Sequence, residues 1–289
     1  MNKILVVADY VDESPVALEQ AIELAKVYET SLHIVHFCYV DMYEDLDDKE
    51  AVKEKVVASV RAQASALLSQ QLPSEVTFTH DVVWCKHIHM WVNDYVKAEK
   101  PCLVVKTGNR SESALYTPTD WHLLRECQVP VLISPRSKWR KTSNILAAID
   151  LGTSSIDKLE LNQKILGQAQ MFAEHFGVDM YVCYAPPVSP VLKDLGIKSP
   201  DEVERKARKA LEADVAVLAV QYDIPVSHFH IRAGVPEKVI PSLAAEHKAA
   251  LVVMGIVGRK GIKGKLIGNT AEKVLNLLKA DVLALKPDE

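Results

Sequence analysis

At 289 residues the chain has room for two domains of ordinary size, and 48% hydrophobic with 25% charged residues is the composition of a globular protein with real cores. A net charge of -4 argues against a general nucleic-acid binder. No run approaches the ~20 apolar residues of a membrane span, and the opening Met-Asn-Lys-Ile-Leu-Val-Val-Ala-Asp is too short in apolar residues for a secretory leader, so the expected location is the cytoplasm.

In chain order, short apolar runs predict strands near 3–8, 31–37, 75–82, 102–105 and 130–133. The longer helical patterns between them predict helices near 15–28, 50–71, 88–98 and 119–126. After the second strand, the acidic run from Asp41 to Glu50 reads as a solvated helix start, hostile to a triphosphate. After the fourth strand, the segment from Lys106 to Asp120 keeps one glycine; Glu112 and Asp120 offset Lys106 and Arg110, and Pro118 removes an N–H near the helix start. Trp84, Trp91 and Trp121 read as core, because large aromatics dominate burial. The basic stretch from Ser134 to Ser143 breaks the periodicity and reads as a linker.

Beyond the linker the plan repeats, with strands near 144–149, 179–184, 226–232, 250–254 and 281–285 and helices near 157–176, 201–222, 236–247 and 270–278. Lys3-Ile-Leu-Val-Val-Ala-Asp9 answers Asn144-Ile-Leu-Ala-Ala-Ile-Asp150, and Val131-Leu-Ile-Ser-Pro135 answers Leu283-Ala-Leu-Lys-Pro287. A period of that length marks a duplicated domain and divides the chain into 1–137 and 141–289. Strands such as Ile4-Leu-Val-Val7 and Leu251-Val-Val-Met254 are apolar without alternation, as in parallel sheets buried on both faces. The expected fold class is therefore α/β: two tandem, doubly wound, five-stranded parallel-sheet domains, with ligands at the carboxyl ends of the strands where strand order reverses.

One loop carries most of the chemistry. Gly255-Ile-Val-Gly258, nine residues, then Gly268-Asn269-Thr270 lies between an apolar strand and a helix start. Glycines there let backbone N–H groups converge on a phosphate, and Arg259, Lys260, Lys263 and Lys265 accompany them without an acidic residue. The spacing is not a P-loop, since Gly264-Lys265 precedes Leu266, and the loop follows the fourth strand of its unit instead of the first, as a dinucleotide fingerprint requires. Asp150 ends the unit's first strand, where a carboxylate can accept from a ribose hydroxyl or an adenine amine, or can serve as a turn or cap residue.

These motifs resemble the universal stress proteins, whose nucleotide-binding members carry Gly, two residues, Gly, nine residues, Gly, then Ser or Thr. Gly255, Gly258 and Gly268 match, and Asn269-Thr270 departs at the last place. Thr117-Pro-Thr-Asp-Trp-His-Leu-Leu124, Gly234-Val-Pro-Glu-Lys-Val-Ile240 and Ile267-Gly-Asn-Thr-Ala-Glu272 look most like the E-type tandem subgroup. The resemblance implies an adenine nucleotide alpha hydrolase-like fold and a site in the second copy for ATP, with or without Mg. Asp150 would contact the nucleoside, the backbone near Ala185 would face adenine, Met254 and Gly255 would line the ribose, and Gly258, Gly268, Asn269 and Thr270 would hold the phosphates. It also implies pairing of the two domains through their last strands in a pseudo-twofold arrangement, with a homodimer equally allowed. The expected partner is an adenine nucleotide, with no nucleic acid and no membrane.

The function expected from these residues is a nucleotide-responsive regulatory or protective role in stress through the second copy, without evident catalytic machinery, with slow ATP hydrolysis possible and hard to distinguish from incidental leakage. The alternatives are a non-nucleotide scaffold or apolar-ligand-binding module, or a weak ATPase or phosphotransfer enzyme. The five cysteines are scattered, without CxxC, and read as reduced core thiols. His87 and His89, near Cys85, and His228 and His230, read as sharing a strand face, supply too few ligands for zinc and read as solvent-facing or hydrogen-bonded.

Overall fold

A computed structural model describes residues 3–8, 16–41, 48–108, 118–135, 143–188, 199–256 and 269–287. The chain divides into two compact units, Met1–Lys138 and Trp139–Glu289. Unit 1 runs β1 (Ile4–Ala8), α1 (Val16–Val27), β2 (Leu32–Cys38), α2 (Lys49–Gln71), β3 (Phe78–Trp84), α3 (Ile88–Glu99), β4 (Leu103–Gly108), α4 (Pro118–Glu126) and β5 (Val131–Pro135). Its strands are all parallel, in the order β3-β2-β1-β4-β5.

Unit 2 runs β6 (Ile145–Ala148), α5 (Ile156–Phe176), β7 (Met180–Tyr184), α6 (Pro200–Ala210), α7 (Glu212–Gln221), β8 (Phe229–Ile231), α8 (Pro236–Glu246), β9 (Leu251–Gly255), α9 (Asn269–Leu277) and β10 (Asp281–Leu285). Its order is β8-β7-β6-β9-β10, again all parallel. Each unit is the doubly wound five-stranded sheet that its strand–helix alternation and apolar strands imply. Ile4 to Val7 and Leu251 to Val253 are fully buried, as strands covered on both faces must be.

Local chemistry sets the boundaries. Asp48 accepts from Ala51 N at 2.9 Å and caps α2; Ser199 accepts from Glu202 N at 3.1 Å ahead of Pro200 and caps α6. Gly177, at φ 62°, ends α5 in the left-handed conformation.

Three expectations shift. The helix anticipated over 201–222 is two helices meeting at Leu211, with φ -100° and ψ 4°. Only the second has a face to bury, through Val215 and Ala219, whereas α6 buries no side chain. The strand anticipated over 226–232 is three residues long. Pro225 opens a single 3-10 turn, Val226–His228, closed by His228 N donating to Pro225 O at 2.8 Å, and pairing with β7 begins only at Phe229. The unit 1 tryptophans pack at the margin of the core and are only half-buried: Trp84 packs against the Cys38, Val60 and Val82 cluster and lies tilted against Tyr39, and Trp91 stacks on Tyr95 at 5.2 Å and meets Phe37 edge-on.

Candidate functional site

Strand order in unit 2 reverses between β6 and β9, the place where an open α/β sheet leaves a crevice. A cavity of about 460 Å³ opens there. Leu161 and Ile165 of α5, Ile240 of α8 and Val274 of α9 form apolar walls, and Asp150, Lys158, Asn162 and Tyr184 make the lining polar near the end of β6. Of the residues expected from the sequence, Asp150, Ala185, Met254 and Gly255 all line this cavity. Asn269 and Thr270 begin α9, whose Ala271 and Val274 line it too. Gly258 and Gly268, with Arg259, Lys260, Lys263 and Lys265, lie outside the described residues.

Gly255 is glycine for a packing reason. A Cβ there would stand 2.5 Å from Leu161 Cδ2, inside any real contact, so β9 ends against α5 with no room for a side chain. Gly152 is constrained likewise by the Tyr184 hydroxyl.

Asp150 is held from several sides. Its backbone N donates to Asn162 Oδ1 at 3.0 Å, and Asn162 Nδ2 donates back to Asp150 O at 2.9 Å. Gly152 N donates to Oδ1 at 3.2 Å, and the Lys158 ammonium donates to Oδ2 at 3.0 Å. Burial, and then the Asp150 charge, push the Tyr184 phenol above its ordinary pKa. Burial pushes the Cys183 thiol up to about 12. Neither group is ionised near neutrality, so the lining offers hydrogen bonds and apolar surface, not a thiolate or phenolate nucleophile.

Lys158, Asn162 and Tyr184 were not among the residues expected from the sequence. The signal for Asn162 was an amide within the apolar stripe Leu161, Ile165, Leu166 and Ala169, four residues after a lysine.

The same positions in unit 1 carry other chemistry. Ile4 pairs with Leu103 as Ile145 pairs with Leu251, so Lys106 and Thr107 take the places of Met254 and Gly255. Pro118 and Asn269 each open the helix before the last strand, which makes Asp120 the counterpart of Ala271. Lys106 Nζ lies 3.1 Å from Asp120 Oδ1, with side chains only 2% and 0% exposed, and also donates to Thr107 O at 2.8 Å. Thr107 Oγ1 accepts from Ala17 N at 3.1 Å. Lys106 and Asp120, read from the sequence as loop charges, are thus a buried ion pair at the carboxyl end of β4. Residues 42–47 of the acidic run and 109–117 of the degenerate loop lie outside the described residues.

The histidines serve packing. His228 sits in the turn before β8, not on the strand with His230; its ring stacks on Tyr181 at 4.3 Å, and its Nδ1 lies 3.0 Å from Met180 O. His230 packs on His247 at 4.3 Å, and His89 stacks on His122 at 4.0 Å. Among the described residues no group of three or more His, Cys, Asp or Glu side chains is arranged to hold a metal ion, and no helix is long and apolar enough to cross a membrane. All five cysteines are free thiols.

Comparison with known proteins agrees with this architecture. The universal stress protein family profile matches residues 1–135 and 142–286. Universal stress protein E of Salmonella typhi is 30% identical over 305 aligned positions, covering 100% of this chain and 95% of its own length. The Universal stress protein E homolog of Haemophilus influenzae is also 30% identical, with 100% and 98% covered. Among solved structures, a putative universal stress protein from Pseudomonas aeruginosa superposes with a TM-score of 0.73 at 28% identity, covering 100% of this chain and 94% of that one. A universal stress protein from Archaeoglobus fulgidus, at 15% identity and a TM-score of 0.59, shares the fold.

Proposed function

The chain belongs to the universal stress protein family, as a tandem-domain member of the E type, and from that premise we propose that unit 2 binds ATP while unit 1 does not. The observation that carries this reading is the contrast at one topological position: an open cavity with a side-chain-free Gly255 in unit 2, a buried Lys106–Asp120 pair in unit 1. In the proposed complex Asp150 accepts from the nucleoside and the backbone near Ala185 faces the base. Met254 and Gly255 line the ribose, and the phosphates run toward Gly258, Gly268, Asn269 and Thr270, where backbone N–H groups at the start of α9 suit an anion. ATP binding would then act by favouring one conformation or partner surface through differential affinity, in a cytoplasmic, stress-protective role.

Calorimetric titration of the full chain with ATP, with and without Mg, tests the reading. The expected result is one nucleotide per chain, with affinity falling as salt rises because the loop is basic. Gly258→Asp, which puts a carboxylate against the phosphates, should abolish binding and leave the melting temperature within a few degrees. Unchanged affinity in that variant overturns the phosphate assignment. Release of a lipid, instead of an adenine nucleotide, from denatured native protein would favour an apolar ligand in the same cavity.

A further inference from the structure

Asn162 and Lys158 stand one helical turn apart on α5 and face the end of β6. Asn162, 9% exposed, bonds the main chain of Asp150 through both amide atoms, one bond in each direction. That closed pair of bonds acts as a neighbouring strand would, just past the last residue of β6. It fixes where the Asp150 Cα sits and in which direction its side chain leaves. Lys158 and Gly152 N then take one lone pair on each carboxylate oxygen. A carboxylate oxygen accepts two hydrogen bonds, so each retains capacity for a ligand.

Unit 1 supplies the control. Counting from Ile4 and Ile145, which open equivalent strands, the residues matching Lys158 and Asn162 are Ala17 and Ala21. Both alanines are buried, and Ala17 N is turned to Thr107. The polar pair therefore occurs in unit 2 and not at the matching positions of unit 1, although both helices bury the same face: Ala21, Leu24 and Ala25 in α1 answer Asn162, Ile165 and Leu166 in α5. A buried asparagine costs free energy unless its amide is hydrogen-bonded, and both amide atoms of this one bond a single residue, Asp150.

We infer that Asn162 and Lys158 are positioning residues that hold the Asp150 carboxylate as the acceptor for a nucleoside's hydroxyl or amine hydrogens, and so set the selectivity of the unit 2 site. The inference rests on the reading that this site takes an adenine nucleotide. A rigidly held acceptor discriminates more strongly against a ligand that lacks the matching donor, because the carboxylate cannot relax to another partner.

The test is a ratio of affinities measured on the full chain, since a ratio does not depend on the fraction of protein folded. ATP is compared with 2′,3′-dideoxy-ATP, which lacks the ribose donors, and with purine riboside triphosphate, which lacks the 6-amine. The native protein should prefer ATP over one of these by about tenfold, the worth of one good hydrogen bond to a charged acceptor. Asp150→Ala should erase that preference. Asn162→Leu, near in volume, should cut it to about threefold or less, and Lys158→Met, at a half-exposed position that does not threaten folding, should lower it in part while Lys158→Arg restores it. If Asn162→Leu and Lys158→Met both discriminate like the native protein while Asp150→Ala does not, the positioning role is wrong and the nucleotide reading stands. Should Asn162→Leu fail to fold, Lys158→Met against Lys158→Arg decides. A native protein that binds ATP but ignores both deletions overturns the acceptor role of Asp150, and one that binds no ATP overturns the nucleotide reading; either takes this inference with it.

Discussion

The two units share strand order, parallel register and helix placement, yet spend the same topological position differently. In unit 2 the end of the fourth strand carries Met254 and Gly255 beside an open cavity, and α5 turns Lys158 and Asn162 toward Asp150. In unit 1 that place holds the buried Lys106–Asp120 pair, with Thr107 bonded to α1. The contrast teaches that a duplicated fold can change the chemistry at a strand end without changing its sheet. In unit 1 a buried lysine and aspartate answer each other from within the chain, where unit 2 has Met254 and Ala271.

The largest expected effect is at that ion pair. Lys106→Met or Asp120→Ala alone removes one member of a buried ion pair and should cost about 3–5 kcal/mol in urea unfolding, whereas the double variant should recover most of the loss. Additive losses in the double variant would show that the two charges do not depend on each other and would blunt the comparison.

Gly255→Ala comes next. Its Cβ must push Leu161 or the end of β9 aside, at a cost of about 1–3 kcal/mol, and it should reduce ATP affinity as well. The mirror change, Thr107→Gly, removes one hydrogen bond from unit 1 and should cost about 1–2 kcal/mol without touching ATP binding. Equal effects of both variants on ATP affinity would contradict the division of labour.

Acid should act on both units, since burial, and then His247, also lower the His230 imidazole of unit 2, but the largest effect falls in unit 1. Tyr184 of β7 takes the strand position that His36 takes in β2. Burial, and then the neighbouring His80, hold the His36 imidazole down to about 4. His80, 3.1 Å from His36, is lowered mainly by burial and further by Arg61 of α2 and by His33, with Asp81 opposing. Because the folded state keeps these rings neutral while the unfolded chain protonates them near 6.5, stability is fully present above about 6.5 and falls as pH drops toward 4. The slope approaches about 1.4 kcal/mol per pH unit for each proton taken up only on unfolding. Thermal melts between pH 7 and pH 4.5 measure it, and His36→Phe should flatten the curve. An unchanged slope in that variant assigns the acid response elsewhere.

The smallest effect is a control. Asp48→Ala in unit 1 and Ser199→Ala in unit 2 each remove a helix cap, and each should cost about 1 kcal/mol. Matching losses would confine the asymmetry to the crevice; a cap worth several times the other would extend it to the scaffold.

Alternation of wholly apolar strands with helical patterns made the doubly wound architecture readable in advance, since residues such as Leu251 to Val253 have few homes other than a sheet covered on both faces. Asp150 was legible because it ends a first strand, and Gly255 because it opens a glycine-spaced loop after an apolar run, whereas its packing against Leu161 was not. The break at Leu211 and the turn at Val226–His228 were not, since both depend on which segment finds a face to bury and where an edge strand can begin pairing.

What the sequence determined alone is the periodicity, and with it two copies of one sheet and the chemistry available at each strand end. What only the tertiary structure decided is which polar side chains meet. Lys106 and Asp120 are fourteen residues apart and looked like loop charges, but the length of β4 and the docking of α4 bury them against each other. Asn162 lies twelve residues from Asp150, and its amide finds that peptide only because α5 packs its apolar stripe onto β6 and β9. Local sequence records propensity, whereas a contact between distant residues is a property of the packed core, where burial makes each unsatisfied polar atom costly and so selects one arrangement.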